Sequence, residues 1–357
     1  MINRTRFFIY LGAILFIITL SFGTGILIAQ KKIEGINLNA TSKVAINLSQ
    51  NNIKEASVLE NPAENKTEES PQPVEEKKEE TSANQETSQE ENKFTFGIIG
   101  DTQYFKAGNS SGGFQKAVKL LTSKNIDLAM AMGDIVSSCD ADCGSELAAW
   151  KNVMGGLYPK TYPIMGNHDR TGREKSDAAW QNFFNLPTNG PVGFSELAYS
   201  FDFKNSHFVV LDSDKPNENI VNDVQRAWLE QDLNANKKDN TFVFFHEPAY
   251  PTNSKIGESL DVKPKERDAL WNILSAHKVT AVFSGHEHIA SRRNVGGIYQ
   301  FVFGNTDSFN HLPPKTGMAE WSYIGQSFGI VEVNEKQITV ETYSVDGKLL
   351  NSFPLVK

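Results

Sequence analysis

Aromatic residues are missing from one long stretch of the chain. Between Phe22 and Phe94 there is no Phe, Tyr or Trp, where the overall aromatic content of 10% would place about seven. That stretch cannot build a core. Cysteine is scarce as well: Cys139 and Cys143 are the only two in 357 residues, which excludes a disulfide-rich miniprotein. A single long apolar run excludes a multi-span membrane protein. Positive charge is not in excess. The formal net charge is −8, and residues 60–91, with eleven glutamates against three lysines, account for all of it. The remainder is balanced, so neither a nucleic-acid binder driven by bulk positive charge nor an acidic globular domain follows from the composition.

The apolar run covers residues 7–29, 23 residues without a charge, flanked by Arg4 and Arg6 on one side and Lys31 and Lys32 on the other. It is long enough to span a bilayer. Gly23, Thr24 and Gly25 are followed by further apolar residues instead of a cleavage site, so residues 1–32 read as a signal-anchor in preference to a cleaved signal peptide. The α-amino group adds to the two basic residues before the run and tips the amino terminus inside. A single-pass protein of the cell membrane with its remaining residues extracytoplasmic is expected. Residues 33–92 read as a disordered acidic linker, rich in Glu, Ser, Thr, Asn and Gln. A flexible coil of that length spans on the order of 40–45 Å between its ends.

From residue 93 the texture changes to short apolar runs alternating with helical patterns. Strands are expected at 94–100, 128–132, 162–165, 199–203, 207–211, 241–245, 280–283, 299–303, 328–333 and 337–343. Helices are expected at 114–124, 146–154, 177–184, 221–233 and 265–277, the last opened by Pro264. This alternation describes an α/β domain over residues 93–357.

Five polar clusters begin where an apolar strand ends: Gly100-Asp101-Thr102-Gln103, Gly133-Asp134, Gly166-Asn167-His168-Asp169, His246-Glu247-Pro248 and Gly285-His286-Glu287-His288. In α/β sheets ligands bind beyond the carboxyl ends of strands, so the five clusters converge on one rim. Spacing within an extended segment sets Asp101 beside Gln103 and His286 beside His288. Two aspartates, an asparagine, a glutamine and three histidines, with no thiolate, make a mixed oxygen and nitrogen metal site. These are too many donors for one open catalytic metal, and they suit two metals sharing a carboxylate.

The order of these motifs resembles the calcineurin-like metallophosphoesterase superfamily, which includes purple acid phosphatases and class III cyclic-nucleotide phosphodiesterases. The signature Asp-x-His, Gly-Asp, Gly-Asn-His-Asp/Glu, lone His, Gly-His-x-His is matched over roughly residues 93–335, with Gln103 where His is usual. The resemblance implies a four-layer α/β/β/α sandwich. It assigns Asp101, Gln103 and His288 to one metal, Asn167, His246 and His286 to the other, and makes Asp134 the bridge. It makes His168 the catalytic group that faces substrate together with Asn167, with Asp169 orienting its ring. Two divalent ions against two aspartates leave net positive charge for a phosphate. Ser137 stands where purple acid phosphatases carry a metal-binding Tyr. The neutral amide of Gln103 favours manganese among Mn, Fe, Mg and Zn.

The expected function is hydrolysis of phosphate mono- or diesters by a metal-activated hydroxide, without nucleic-acid binding. The alternatives are a pyrophosphohydrolase or lipid-phosphate hydrolase at the bilayer surface, and a non-catalytic metal-binding surface protein of the same fold. Glu247 and Glu287 flank ligands. Arg170, Arg292 and Arg293 are candidates for phosphate contacts but read more simply as solvated residues, and His207, His277 and His311 read as structural. Cys139 and Cys143 enclose a short loop after Asp134; a disulfide there would suit an oxidising location, and free thiols a cytosolic one.

Overall fold

The computed structural model describes residues 92–106, 110, 112–140, 143–309, 312–335 and 337–355. The expected anchor, all but the last residue of the expected linker, and His311 lie outside them. Among the described residues no helix is long and apolar enough to cross a membrane.

Two sheets form the centre. The first has the order β13-β12-β11-β1-β2-β3, built from β1 (Lys93–Ile99), β2 (Leu128–Ala131), β3 (Thr161–Pro163), β11 (Ser327–Asn334), β12 (Gln337–Ser344) and β13 (Leu349–Leu355). The second has the order β10-β8-β9-β7-β6-β5-β4, built from β4 (Tyr199–Phe203), β5 (Ser206–Val210), β6 (Asn240–Phe244), β7 (Ala281–Ser284), β8 (Ala290–Val295), β9 (Ile298–Phe303) and β10 (Trp321–Tyr323). Within the first, β1, β2 and β3 run parallel; within the second, β5, β6, β7 and β9 do.

The sheets meet through aromatic rings. Phe96 on β1 has its centroid 5.3 Å from those of Phe208 and Phe242, 6.2 Å from Phe244 and 6.1 Å from Phe283, all four on the second sheet. Edge-to-face packing of such rings adds to their hydrophobic burial. On the far side of β1, Gly97 faces Leu121 of α1 (Gly113–Ser123), and α2 (Gly144–Met154) buries Leu147 and Trp150 in the same core. On the outer face of the second sheet, Val209, Val243 and Val282 pack with Leu229 and Leu233 of α4 (Asp223–Ala235) and Leu270 and Leu274 of α5 (Pro264–Ala276). The remaining helix, α3 (Glu174–Phe183), follows β3. The result is the helix, sheet, sheet, helix layering that the resemblance implied.

Local chemistry accounts for the helix starts. Asn222 accepts a hydrogen bond from Gln225 N to cap α4, and Pro264 occupies the first turn of α5, where its missing N–H costs nothing. Every expected strand and helix is present, with ends shifted by a few residues. Three strands were not expected. β10 is three residues long, β8 carries Arg292 and Arg293, and β13 contains Pro354 and lies at the sheet edge, where a missing donor is tolerated.

Candidate metal centre

All five clusters emerge from the carboxyl ends of parallel strands: β1 and β2 and β3 of one sheet, β6 and β7 of the other. The chain does not stay extended there. Asp101, Asp134, His286 and His288 have φ of 53°, 51°, 67° and 52°, the left-handed region that side chains bearing Cβ avoid. Four such residues in one place concentrate backbone strain at the site, a pattern typical of functional centres. Because of this turn, the two histidines of the last cluster join different groups, His286 with Asp134 and His246, and His288 with Asp101 and Asp134. Asp101 neighbours His288, Gln103 reaches Asp134, and His286 sits against His246 with ring centroids 5.2 Å apart. The glycines permit close approach. A Cβ on Gly166 would lie 2.4 Å from Asp134 Oδ1, and one on Gly285 would lie 2.6 Å from Asp101 Oδ2.

The side chains form two groups that share one carboxylate. Asp134, His246 and His286 bring one ligand atom each within 4.8 Å of one another, as do Asp101, Asp134 and His288. The ring hydrogen bonds leave a nitrogen aimed inward. His246 Nδ1 meets the Met132 carbonyl at 2.7 Å and must carry a proton there, so Nε2 faces Asn167 Oδ1 at 3.1 Å and Asp134 Oδ1 at 3.4 Å. His288 Nδ1 donates to Phe309 O at 2.6 Å and turns Nε2 to Asp101 Oδ1 at 3.4 Å. His286 Nε2 donates to Glu258 O at 2.9 Å, which keeps Nδ1 free. Backbone carbonyls that fix the tautomer of a ligating histidine are a recurrent feature of metal sites.

Gln103 belongs to this assembly. Its Nε2 donates to Asp134 Oδ2 at 3.3 Å, while Oε1 is buried without any hydrogen-bond partner. A buried orphan amide oxygen costs about 1–3 kcal/mol unless a cation or donor meets it. The donor set therefore fits two divalent cations: oxygen and nitrogen ligands, one shared carboxylate, and one neutral oxygen awaiting a positive partner.

His168 stands beside the shared carboxylate, its backbone N donating to Asp134 Oδ1 at 2.9 Å. Its ring Nδ1 donates to the Ser137 carbonyl at 2.8 Å. The expectation that Asp169 orients this ring is thus corrected. Asp169 accepts the backbone N–H groups of Ile135 and Val136 on Oδ1 and of Gly166 on Oδ2, at 2.9, 3.0 and 2.9 Å. It ties the loop carrying Asp134 to the loop carrying Asn167. Cys139 and Cys143 are joined in a disulfide just beyond Ser137, and Cys139 N donates to Thr171 Oγ1 at 2.7 Å. The loop that orients His168 is held from both sides.

The electrostatics favour added positive charge among these groups. Burial pushes Asp101 upward against the pull of His288 and His246. Burial also opposes ionisation of Asp134, but His246, His168 and His286 outweigh it and hold that carboxyl well below the usual range. Burial would lower His246, yet Asp134, Asp101 and Asp214 drive it well above its ordinary value. Burial, His246 and Lys255 press His286 well below. Burial, then Asp134, pushes Asp169 up to about 8 against its backbone hydrogen bonds. The carboxylates thus force a proton onto His246 where a divalent ion would otherwise supply charge.

Other candidates take structural roles. Glu287 accepts from Thr252 N and Asn253 N at 2.6 and 2.9 Å and braces that loop. Arg170 is buried between Asp177 Oδ1 of α3 and Asp214 O, at 3.0 and 2.6 Å, so it ties that helix to the segment after β5 instead of facing solvent. The Arg292 guanidinium stacks 3.6 Å from the Phe353 ring centroid, and Arg293 lies near Tyr250. His207 bridges Asp202 and Asp232, and His277 meets Glu230. Glu247 hydrogen-bonds Asp214 and accepts from Asn219 Nδ2 at 2.9 Å. Sequence reasoning missed Asp212 and Asp214, which are buried at the end of β5. The rule that found the other five clusters, a polar group directly after an apolar strand, applies equally to Asp212-Ser213-Asp214. Tyr104 was missed too; its ring lies 6.2 Å from that of His168 and 5.0 Å from that of Phe309.

Residues 94–290 match the family model of the calcineurin-like phosphoesterases, and the chain belongs to that family. Purple acid phosphatase 13 of Arabidopsis thaliana is 28% identical over 203 residues, covering 51% of this chain and 36% of the relative. Purple acid phosphatase 21 of the same plant is 33% identical over 147 residues, covering 40% and 31%. The chain spans about a third of the length of these curated relatives. Among solved structures, the purple acid phosphatase PPD1 from yellow lupin seeds superposes with a TM-score of 0.60 at 15% identity, covering 73% of this chain and 53% of that one. This last likeness concerns the fold.

Proposed function

We propose that residues 93–357 form a dinuclear-metal phosphoesterase domain, held at the outer surface of a membrane by residues 7–29 through the acidic linker. The observation that carries the catalytic reading is the pair of buried ligand groups sharing Asp134, with an orphan amide oxygen at Gln103 and His168 alongside. Family membership and the purple acid phosphatase relatives support it.

Asp101, Gln103, Asp134 and His288 would hold one ion, and Asp134, Asn167, His246 and His286 the other. When bound, the two ions supply Lewis acidity toward the phosphoryl oxygens and lower the pKa of a water. The protein's own groups do the rest. The Ser137 carbonyl occupies Nδ1 of His168 and leaves Nε2 to deliver a proton to the departing oxygen. The Asn167 amide, directed by His246, would help hold an ion and contact substrate. Asp169 keeps the two loops in register through three backbone hydrogen bonds.

The anchoring part rests on the apolar run and its basic flanks, and the disulfide supports an oxidising location. The catalytic part is tested by stripping the purified full chain of metal, adding back Mn²⁺, Mg²⁺ or Zn²⁺, and following p-nitrophenyl phosphate and bis(p-nitrophenyl) phosphate. Metal-dependent release of p-nitrophenol is expected from at least one. Metal-independent release, or none with any ion, contradicts the reading. Fractionation of cells with and without residues 1–32 tests the anchor.

A further inference from the structure

Each ligand group draws on both sheets. Asp101 follows β1 of the first sheet and His288 follows β7 of the second, so the spacing of these two side chains is set across the boundary between sheets. One segment spans that boundary. β9 runs parallel to β7, and beyond its carboxyl end comes Gly304-Asn305-Thr306-Asp307-Ser308-Phe309, a largely polar run on the same rim as the ligand clusters. Its one titratable residue, Asp307, belongs to neither ligand group.

The segment is bonded to Asp101 on one side and to His288 on the other. Thr306 N donates to Gly100 O at 3.0 Å, Gly100 N donates to Thr306 Oγ1 at 3.1 Å, and Asp307 N donates to Asp101 O at 3.3 Å. Gly304 N donates to Ile289 O at 3.2 Å, and His288 Nδ1 donates to Phe309 O at 2.6 Å. The imidazoles of the other group are steered from elsewhere, His246 by Met132 O and His286 by Glu258 O.

Asp307 pins the middle of this segment. Its side chain is fully buried; Oδ2 accepts from Ser110 Oγ at 2.9 Å and from Phe114 N at 3.3 Å, and Oδ1 accepts from Gln326 Nε2 at 3.1 Å. Phe114 lies in the first turn of α1, where the helix dipole favours an anion. β11 holds the segment as well, with Thr306 Oγ1 donating to Ser327 O and Ser327 Oγ to Asn305 Oδ1, at 3.1 and 2.7 Å. A shift at Asp307 is therefore passed to both Asp101 and His288.

We infer that Asp307 is a positioning residue for the ion that Asp101, Gln103, Asp134 and His288 would hold, acting through the backbone of Asp101 and the Phe309 carbonyl. This rests on the dinuclear reading and adds to it a residue outside both ligand groups. Loss of a residue that orients ligands in this way changes metal affinity by roughly 10–100-fold.

The test isolates each ion. Calorimetric titration with Mn²⁺ is run on the full chain, on His286→Ala, which cripples the Asn167 side, and on His288→Ala, which cripples the Asp101 side, each with and without Asp307→Ala. Asp307→Ala should weaken the ion that remains in His286→Ala by about tenfold or more, and leave the ion that remains in His288→Ala within about twofold. Asp307→Asn keeps an acceptor for Phe114 N and drops the charge. Where circular dichroism shows the alanine variant unfolded, the asparagine variant carries the test, with a weakening of about threefold or more expected on the same ion. Equal weakening of both ions, weakening confined to the His288→Ala background, or no change in the variant that carries the test overturns the inference. Two ions in the native chain then leave the dinuclear reading standing. Fewer than two in the native chain remove both.

Discussion

Gln103 donates its amide nitrogen to Asp134 Oδ2 at 3.3 Å and leaves its own oxygen buried and unpaired. The family's usual residue at this position is histidine, so one ion would see a weak neutral oxygen in place of an imidazole. Gln103→His is expected to tighten the looser ion and to narrow the advantage of Mn²⁺ over Zn²⁺ in reactivating apoprotein, because imidazole suits zinc better than an amide does. Metal titration by calorimetry reads both affinities. Two equally tight ions in the native protein, unchanged by the substitution, would remove Gln103 from the ligand set.

The sequence disclosed the site better than its geometry. The five clusters stood out because each puts polar residues directly after an apolar strand, and β1, β2, β3, β6 and β7 do end where expected within a few residues. What stayed hidden was direction. Left-handed backbone at His286 and His288 sends the two rings to different groups, and only the folded loops show that His168 leans on Ser137 O and not on Asp169. β8 escaped notice because Arg292 and Arg293 mask its pattern, while the guanidinium of Arg292 is in fact stacked on Phe353.

His168 and Asp169 should therefore fail in different ways. His168→Ala is expected to keep its metal and lose roughly 10²–10⁴ in turnover. Asp169→Asn sets an amide N–H₂ against backbone N–H groups that need acceptors. It should cost about 1–3 kcal/mol of stability and loosen metal at the Asn167 side. Denaturant melts and metal content on both variants separate the two roles. If His168→Ala sheds metal as Asp134→Ala does, its assignment falls.

Asp212 is fully buried, and burial, with Asp214 beside it, pushes its carboxyl up to about 7. The folded value lies above the unfolded one near 4, so its contribution to stability is complete below about pH 4 and declines as pH rises through about 7. Asp212→Asn copies the neutral form. Its melting temperature should exceed that of the native protein at pH 8 and match it at pH 4. The opposite ordering would show that Asp212 is held as a carboxylate.

Metal loading should release protons. Asp134, Asp101 and Asp214 outweigh burial at His246 and keep it charged at neutral pH when no ion is present, and a ligating imidazole must be neutral. Calorimetric titration at pH 7 in two buffers of different ionisation enthalpy should give unequal apparent heats. Identical heats would mean that no proton is displaced.

The claim on which the rest depends is that one carboxylate serves two ions. Metal content of the purified full chain by mass spectrometry, after saturation with Mn²⁺ and removal of free ion, addresses it directly. The native protein should hold two ions per chain, Asn167→Ala should lose the ion on its own side first, and Asp134→Ala should lose both while its circular dichroism shows a folded protein. A native protein saturating at one ion, or a folded Asp134→Ala variant that retains two, would contradict the account.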